Sequence, residues 1–164
     1  MKQQQRTIWA GYAAAAWALV FAGVSFYWGL GGTLGLATLG REIEQLALAR
    51  DPTTVAIGGW GAGAAKVLAA LVALALVQPW GRSIPFQVRR IAAWIVGLLL
   101  VVYGIANFVQ HGLMAAGIIP IPASFGAEAL PWHLLVWNPW WLAGGLLFVA
   151  LAWYATGDLR PQDS

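Results

Sequence analysis

TVAIGGWGAGAAKVLAALVALALV, Thr54 to Val77, is the stretch on which the fold turns. It is long enough to cross a hydrocarbon core of about 30 Å, which needs roughly 20 helical residues. Backbone N–H and C=O groups find no water in lipid, so such a run must be helical. Its one charge is Lys66, with uncharged residues for eleven or more positions on each side. A charge at bilayer depth costs at least ~2.5–3.5 kcal/mol on insertion scales, so it normally has a partner and a purpose. Three further runs share this character, residues 8–30, 91–113 and 131–156, and none of them holds a charge. The expected fold is therefore all-α: a polytopic membrane protein, one four-helix transmembrane bundle over residues 1–164.

Composition agrees. The chain is 60% hydrophobic, 9% charged and carries 11 Trp, against about 25% charged residues in ordinary soluble domains. It has no cysteine, which excludes disulfides, thiolate metal sites, Cys nucleophiles and thioether-linked haem. The net charge of +3 comes largely from loop lysines and arginines. No basic run reaches five residues, so a nucleic-acid partner is not expected. The P-loop and GxGxxG motifs are absent, and Gly58 to Gly63 follows no strand.

The Lys/Arg distribution predicts orientation. Lys2, Arg6, Arg82, Arg89, Arg90 and Arg160 flank one side of the bundle, against Arg41 and Arg50 on the other. The positive-inside rule then places both termini and the second connection in the cytoplasm. Trp9, Trp80, Trp94 and Trp153 would mark the inner interface, and Trp28, Trp60, Trp132, Trp137, Trp140 and Trp141 the outer one. The first apolar run exceeds the 7–15 residues of a cleaved signal, so it reads as a retained helix.

Local signals support the division. Asp51-Pro52 offers an N-cap and a first-turn proline to the second span, and Gly31-Gly32 ends the first. Leu36, Leu39, Ile43 and Leu46 share a helical face opposite Arg41, Glu42, Glu44 and Gln45. That pattern predicts a short amphipathic helix on the outer interface, its acidic face in solvent. Gly59 with Gly63, and Gly11 with Ala15, have the four-residue spacing that lets helices approach closely. Asn138-Pro139 leaves the fourth span two starts. It either begins at Pro131 and kinks at Pro139, freeing the Leu135 carbonyl, or begins at Pro139 after a flat segment.

Candidate site residues cluster toward the outer end. Tyr103, Asn107 and His111, spaced i, i+4, i+8, line one face of the third span, with Gln110 at the rim. Ser25, Tyr27 and Trp28 reach a similar depth on the first span, and His133, Trp137 and Asn138 on the fourth. Together they sketch an outward-facing aromatic cavity floored by Lys66, suited to a small amphipathic ligand. The plainer alternative is that Tyr103 and Asn107 only bond between helices. No carboxylate lies inside any span, so Lys66 must find carbonyls, Tyr103, Asn107, water or an anionic ligand. No cofactor or metal is expected: haem bridging His111 and His133 is a remote option, and two histidines alone make a poor zinc site. Proton relays normally use intramembrane Asp or Glu, which this chain lacks.

The motifs Ser25-Phe26-Tyr27-Trp28-Gly29, Gly31-Gly32, Lys66, Pro79-Trp80-Gly81-Arg82, Trp132-His133-Leu134-Leu135 and Trp137-Asn138-Pro139-Trp140 resemble the domain-of-unknown-function 3995 family of small bacterial four-helix membrane proteins. The resemblance implies the four-helix fold in a bacterial cytoplasmic (inner) membrane, and no activity. In that family's pattern an aspartate often stands where this chain has Asn138. The exchange removes a possible counter-ion for Lys66.

The leading functional expectation is a membrane protein, not an enzyme, that holds a lipid-like or small amphipathic ligand against Lys66. The alternative is an accessory subunit of a larger membrane complex, with Lys66 paired to a partner's carboxylate, or a homo-oligomer. A lipid-modifying enzyme would need Lys66, His111 and His133 to converge, and helix rise sets the histidines over about 10 Å from the lysine. A lone channel would lack room for a pore.

Overall fold

The computed structural model describes residues 2–157, which contain helices and no strand. Four helices are long and apolar enough to cross a membrane: α1 (Lys2–Gly29), α3 (Thr54–Val77), α4 (Phe86–Ala115) and α5 (Ala127–Gly157). Between the first two lies the short helix α2 (Arg41–Leu48). The chain is thus a multi-pass membrane protein with a four-helix bundle. Arg160, one of the residues counted for orientation, lies outside the described residues.

The helices outrun the apolar segments that announced them. Helix α1 starts at Lys2 rather than at position 8, because nothing in Lys2–Arg6 breaks a helix once lipid has fixed the turns that follow. Helix α4 begins directly after Pro85, a residue tolerated at a helix start and not in its interior. Asp51 closes the N-terminus of α3, its Oδ1 accepting from the Thr54 N–H at 2.7 Å. The Arg50 guanidinium donates to the Gly29 carbonyl at 3.1 Å and satisfies one orphan acceptor at the end of α1.

Helix α1 is the central element. It packs along α3 on one side and α5 on the other, while α4 lies along α5. Helices α3 and α4 meet much less, and α4 hardly touches the Thr54–Gly61 turns of α3. The core is small-residue rich: Ala10, Ala14, Ala18, Ala70 and Ala73 surround Trp17, Phe21, Phe148 and Leu151. Close packing of small side chains is what holds helices together where lipid is as apolar as leucine. The predicted glycine spacing works this way. A Cβ on Gly59 would come within 2.5 Å of the Gly29 Cα, so the two backbones touch, and Gly63 receives the Phe26 ring.

Two wide π-type turns occur, at Thr54–Gly61 and His133–Trp137. The second resolves the choice at Pro139. Helix α5 runs continuously through the proline, with the wider winding placed just before it. The amphipathic segment also differs from expectation. Gly40 splits it into a single turn, Leu36–Thr38, and α2. Its φ of +116° is one that residues with a side chain rarely adopt, and a Cβ there would press on the Phe125 carbonyl oxygen at 3.3 Å. The Arg41 and Glu42 N–H groups then donate to the Phe125 and Ser124 carbonyls at 3.0 and 2.8 Å. An ion pair, Arg41–Glu128 at 2.8 Å, reinforces this join. Glu42 is exposed, in keeping with a solvated acidic face.

Candidate functional site

Lys66 points from α3 toward α1 and α5. Its Nζ donates to the Ser25 Oγ at 2.7 Å and sits 4.1 Å from the centre of the Phe21 ring. The Trp141 ring follows at 5.7 Å. Aromatic faces carry negative quadrupole density, so both rings favour the ammonium. No carboxylate lies within ion-pair distance among the described residues. One hydroxyl and two rings are therefore the polar support available to a group with three donors.

The ammonium opens on a cavity of about 240 Å³. Its polar lining comes from Lys66, Ser25, Asn107, Asn138 and His133, and its aromatic walls from Phe21, Trp28, Tyr103, Trp137 and Trp141. Leu39 and Ile43, from the amphipathic segment, complete it. The walls are held in place by bonds at their far edges. Trp137 Nε1 donates to Thr38 Oγ1 at 3.1 Å, and Trp28 Nε1 to the Leu34 carbonyl at 2.9 Å. Tyr103 stands edge-on to Trp141 at 5.0 Å and is half exposed on the outside of the bundle.

Eight of the eleven residues singled out in the sequence line this cavity: Ser25, Trp28, Lys66, Tyr103, Asn107, His133, Trp137 and Asn138. His111 does not. It is buried behind Asn138, whose Nδ2 pairs with His111 Nδ1 at 3.1 Å. Tyr27 is also outside. Two residues along a helix is a rotation of about 200° from Ser25, and the Tyr27 hydroxyl instead accepts from the Leu34 N–H at 3.2 Å. Gln110 borders a separate shallow groove with His111 and Phe125. Asn107 bonds back to its own helix, Nδ2 donating to the Tyr103 carbonyl at 2.8 Å.

The two histidines do face each other, with ring centres 4.6 Å apart. Phe125 stacks on His111 at 5.2 Å and lies 4.9 Å from His133, and His133 Nε2 donates to the Leu39 carbonyl at 3.3 Å. Rings in van der Waals contact leave no gap for a porphyrin between them, so this arrangement does not fit a bridging haem. It builds a plug that ties α4, α5 and the amphipathic segment together at one end of the cavity.

Phe21 and Trp141 were not among the predicted site residues. Phe21 stands one turn from Ser25, and Trp141 one turn from Trp137. That i, i+4 relation was the available signal.

A family model described as a protein of unknown function, DUF3995, matches residues 18–148, most of the chain. No curated protein and no solved structure matches it.

Proposed function

The chain belongs to the DUF3995 family of proteins of unknown function, and we propose that it binds a small amphipathic or lipid-like ligand whose anionic or acceptor head seats on Lys66. One observation carries the reading: an ammonium with a single protein hydrogen bond faces a lined cavity at membrane depth. Lysine there is costly unless something answers its charge, and no carboxylate among the described residues does. The volume suits a headgroup rather than a whole lipid, since a water occupies about 30 Å³. The ligand's apolar part extends into the bilayer where α3 and α4 are loosely joined, beside the half-exposed Tyr103.

We place the protein in a bacterial inner membrane with both termini and the second connection in the cytoplasm, on the Lys/Arg distribution. The cavity then belongs to the outer leaflet.

The test is a native mass spectrum of protein released gently from its own membrane. A retained mass of lipid or other amphiphile, lost on Lys66→Leu, supports the reading. A bare chain overturns it. A stoichiometric partner protein retained in place of a small ligand would make Lys66 an interface residue of an accessory subunit.

A further inference from the structure

The opposite end of the bundle holds a second set of cations that the Lys66 cavity does not use. A cavity of about 260 Å³ lies where α1 begins, α3 ends and α4 begins, lined by Gln4, Gln78, Arg82, Phe86 and Arg89 among others. Arg89 is anchored there. Its Nη1 donates to the Ala75 carbonyl, left without an intrahelical partner near the end of α3, at 2.7 Å. Its Nε is buried and has no acceptor, and the same holds for Arg90 Nε. Both guanidinium groups lie by the Phe86 ring, at 5.5 and 6.0 Å.

The Pro79-Trp80-Gly81-Arg82 motif builds the remaining wall. These residues form a tight turn, Pro79–Ser83, directly after α3. Gly81 is pressed so closely on the Ala75 carbonyl that a Cβ would overlap it. The turn therefore folds back under the helix end and delivers Arg82 to the cavity beside Arg89. Among the described residues no acidic side chain balances these charges. Glu42, Glu44 and Asp51, in the first connection, and Glu128, in the first turn of α5, are the acidic residues among those described, and all lie at the other end.

We propose that this cavity is an anion site for a phosphate group, the headgroup phosphate of an acidic phospholipid, held by Arg82 and Arg89. The guanidinium fork matches phosphate oxygens in charge and geometry. Basic pockets between transmembrane helices at a membrane face take such headgroups. The volume accommodates a phosphate and a few waters at about 30 Å³ each, with the acyl chains lying along α4 outside. Inorganic phosphate shares the chemistry, and the experiment separates the two. The site is independent of Lys66 and stands or falls apart from it.

Thermal unfolding is followed in phosphatidylcholine micelles, in the same micelles doped with phosphatidylglycerol, and with inorganic phosphate added instead. Phosphatidylglycerol raises the midpoint of the wild type and still raises that of Lys66→Leu, whose outer cavity has lost its cation. Its apparent affinity falls about fivefold for each arginine removed, in Arg82→Gln and Arg89→Gln. Arg82 is exposed, so Arg82→Gln keeps the fold and gives a readable result even if Arg89→Gln does not. An equal rise from inorganic phosphate would identify free phosphate as the occupant of the same site. Equal stabilisation of wild type and Arg82→Gln by phosphatidylglycerol, or none of the wild type, overturns the proposal.

Discussion

Replacing Lys66 with methionine separates a binding lysine from a structural one. The change removes a charge whose burial costs ~2.5–3.5 kcal/mol. It also removes the bond to Ser25 and the contact with Phe21, the latter worth about 2 kcal/mol when desolvated. Ser25 loses little by itself, because its hydroxyl can turn to the Phe21 carbonyl one turn back, as helical serines do. These terms offset, so the melting temperature of Lys66→Met in detergent should stay close to the wild type. Ligand binding should not. An anionic head loses a hydrogen bond to a charged group, worth about 1.5–3 kcal/mol, which corresponds to about tenfold to about a hundredfold in affinity. Trp28, Trp137 and Trp141 line the cavity, so their fluorescence reports occupancy directly. The titrant is decanoate, with decanol as the uncharged control of equal length. Wild type should prefer decanoate, and Lys66→Met should bind both alike. Equal decanoate affinity in the two proteins, or no preference in the wild type, would refute the role given to the ammonium.

Gly59→Ala should destabilise by roughly 1–3 kcal/mol, because α1 and α3 must part to admit the methyl group; Gly23→Ala, which meets nothing within 4 Å, should be near neutral in the same unfolding assay. Asn138→Ala should cost about 1–3 kcal/mol by stranding the buried His111 Nδ1, and an unchanged unfolding free energy would show that the pair is incidental. The Arg41–Glu128 pair is about half exposed on both sides, so Glu128→Gln should leave the denaturant midpoint close to that of the wild type. Asp51 accepts the Thr54 N–H, which holds its carboxyl below the ordinary value of 3.8. Its contribution is present above that value and lost as the pH falls through the lowered one. Asp51→Ala should therefore be less stable than wild type at neutral pH, the gap closing only in strong acid; a gap independent of pH would show that the cap is not electrostatic.

The four spans were legible because hydropathy over about 20 residues is a property of the chain alone. The Asp51-Pro52 start and the Gly59, Gly63 contact were legible for the same reason: each rests on local geometry. The rotation of each helix about its axis was not. Spans that are apolar all round give no stripe to orient them, so nothing local distinguished Ser25, which meets Lys66, from Tyr27, which faces away. The pairing of His111 with Asn138 joins residues 27 positions apart on different helices, and only tertiary packing decides it. The break at Gly40 depends on Phe125, equally far from any local pattern. Phe21 and Trp141 escaped notice because an aromatic among apolar residues reads as packing until a cation is placed against it.

The two bonds that join Arg41 and Glu42 to Phe125 and Ser124 run between peptide groups. Side-chain replacement cannot delete them, short of a proline at position 41 or 42. The roof over the Lys66 cavity is thereby robust to drift in the side chains that form it, and the solvent-facing positions of α2 are released to vary in charge and size. Gly40, which steers the chain into that join, has no such freedom.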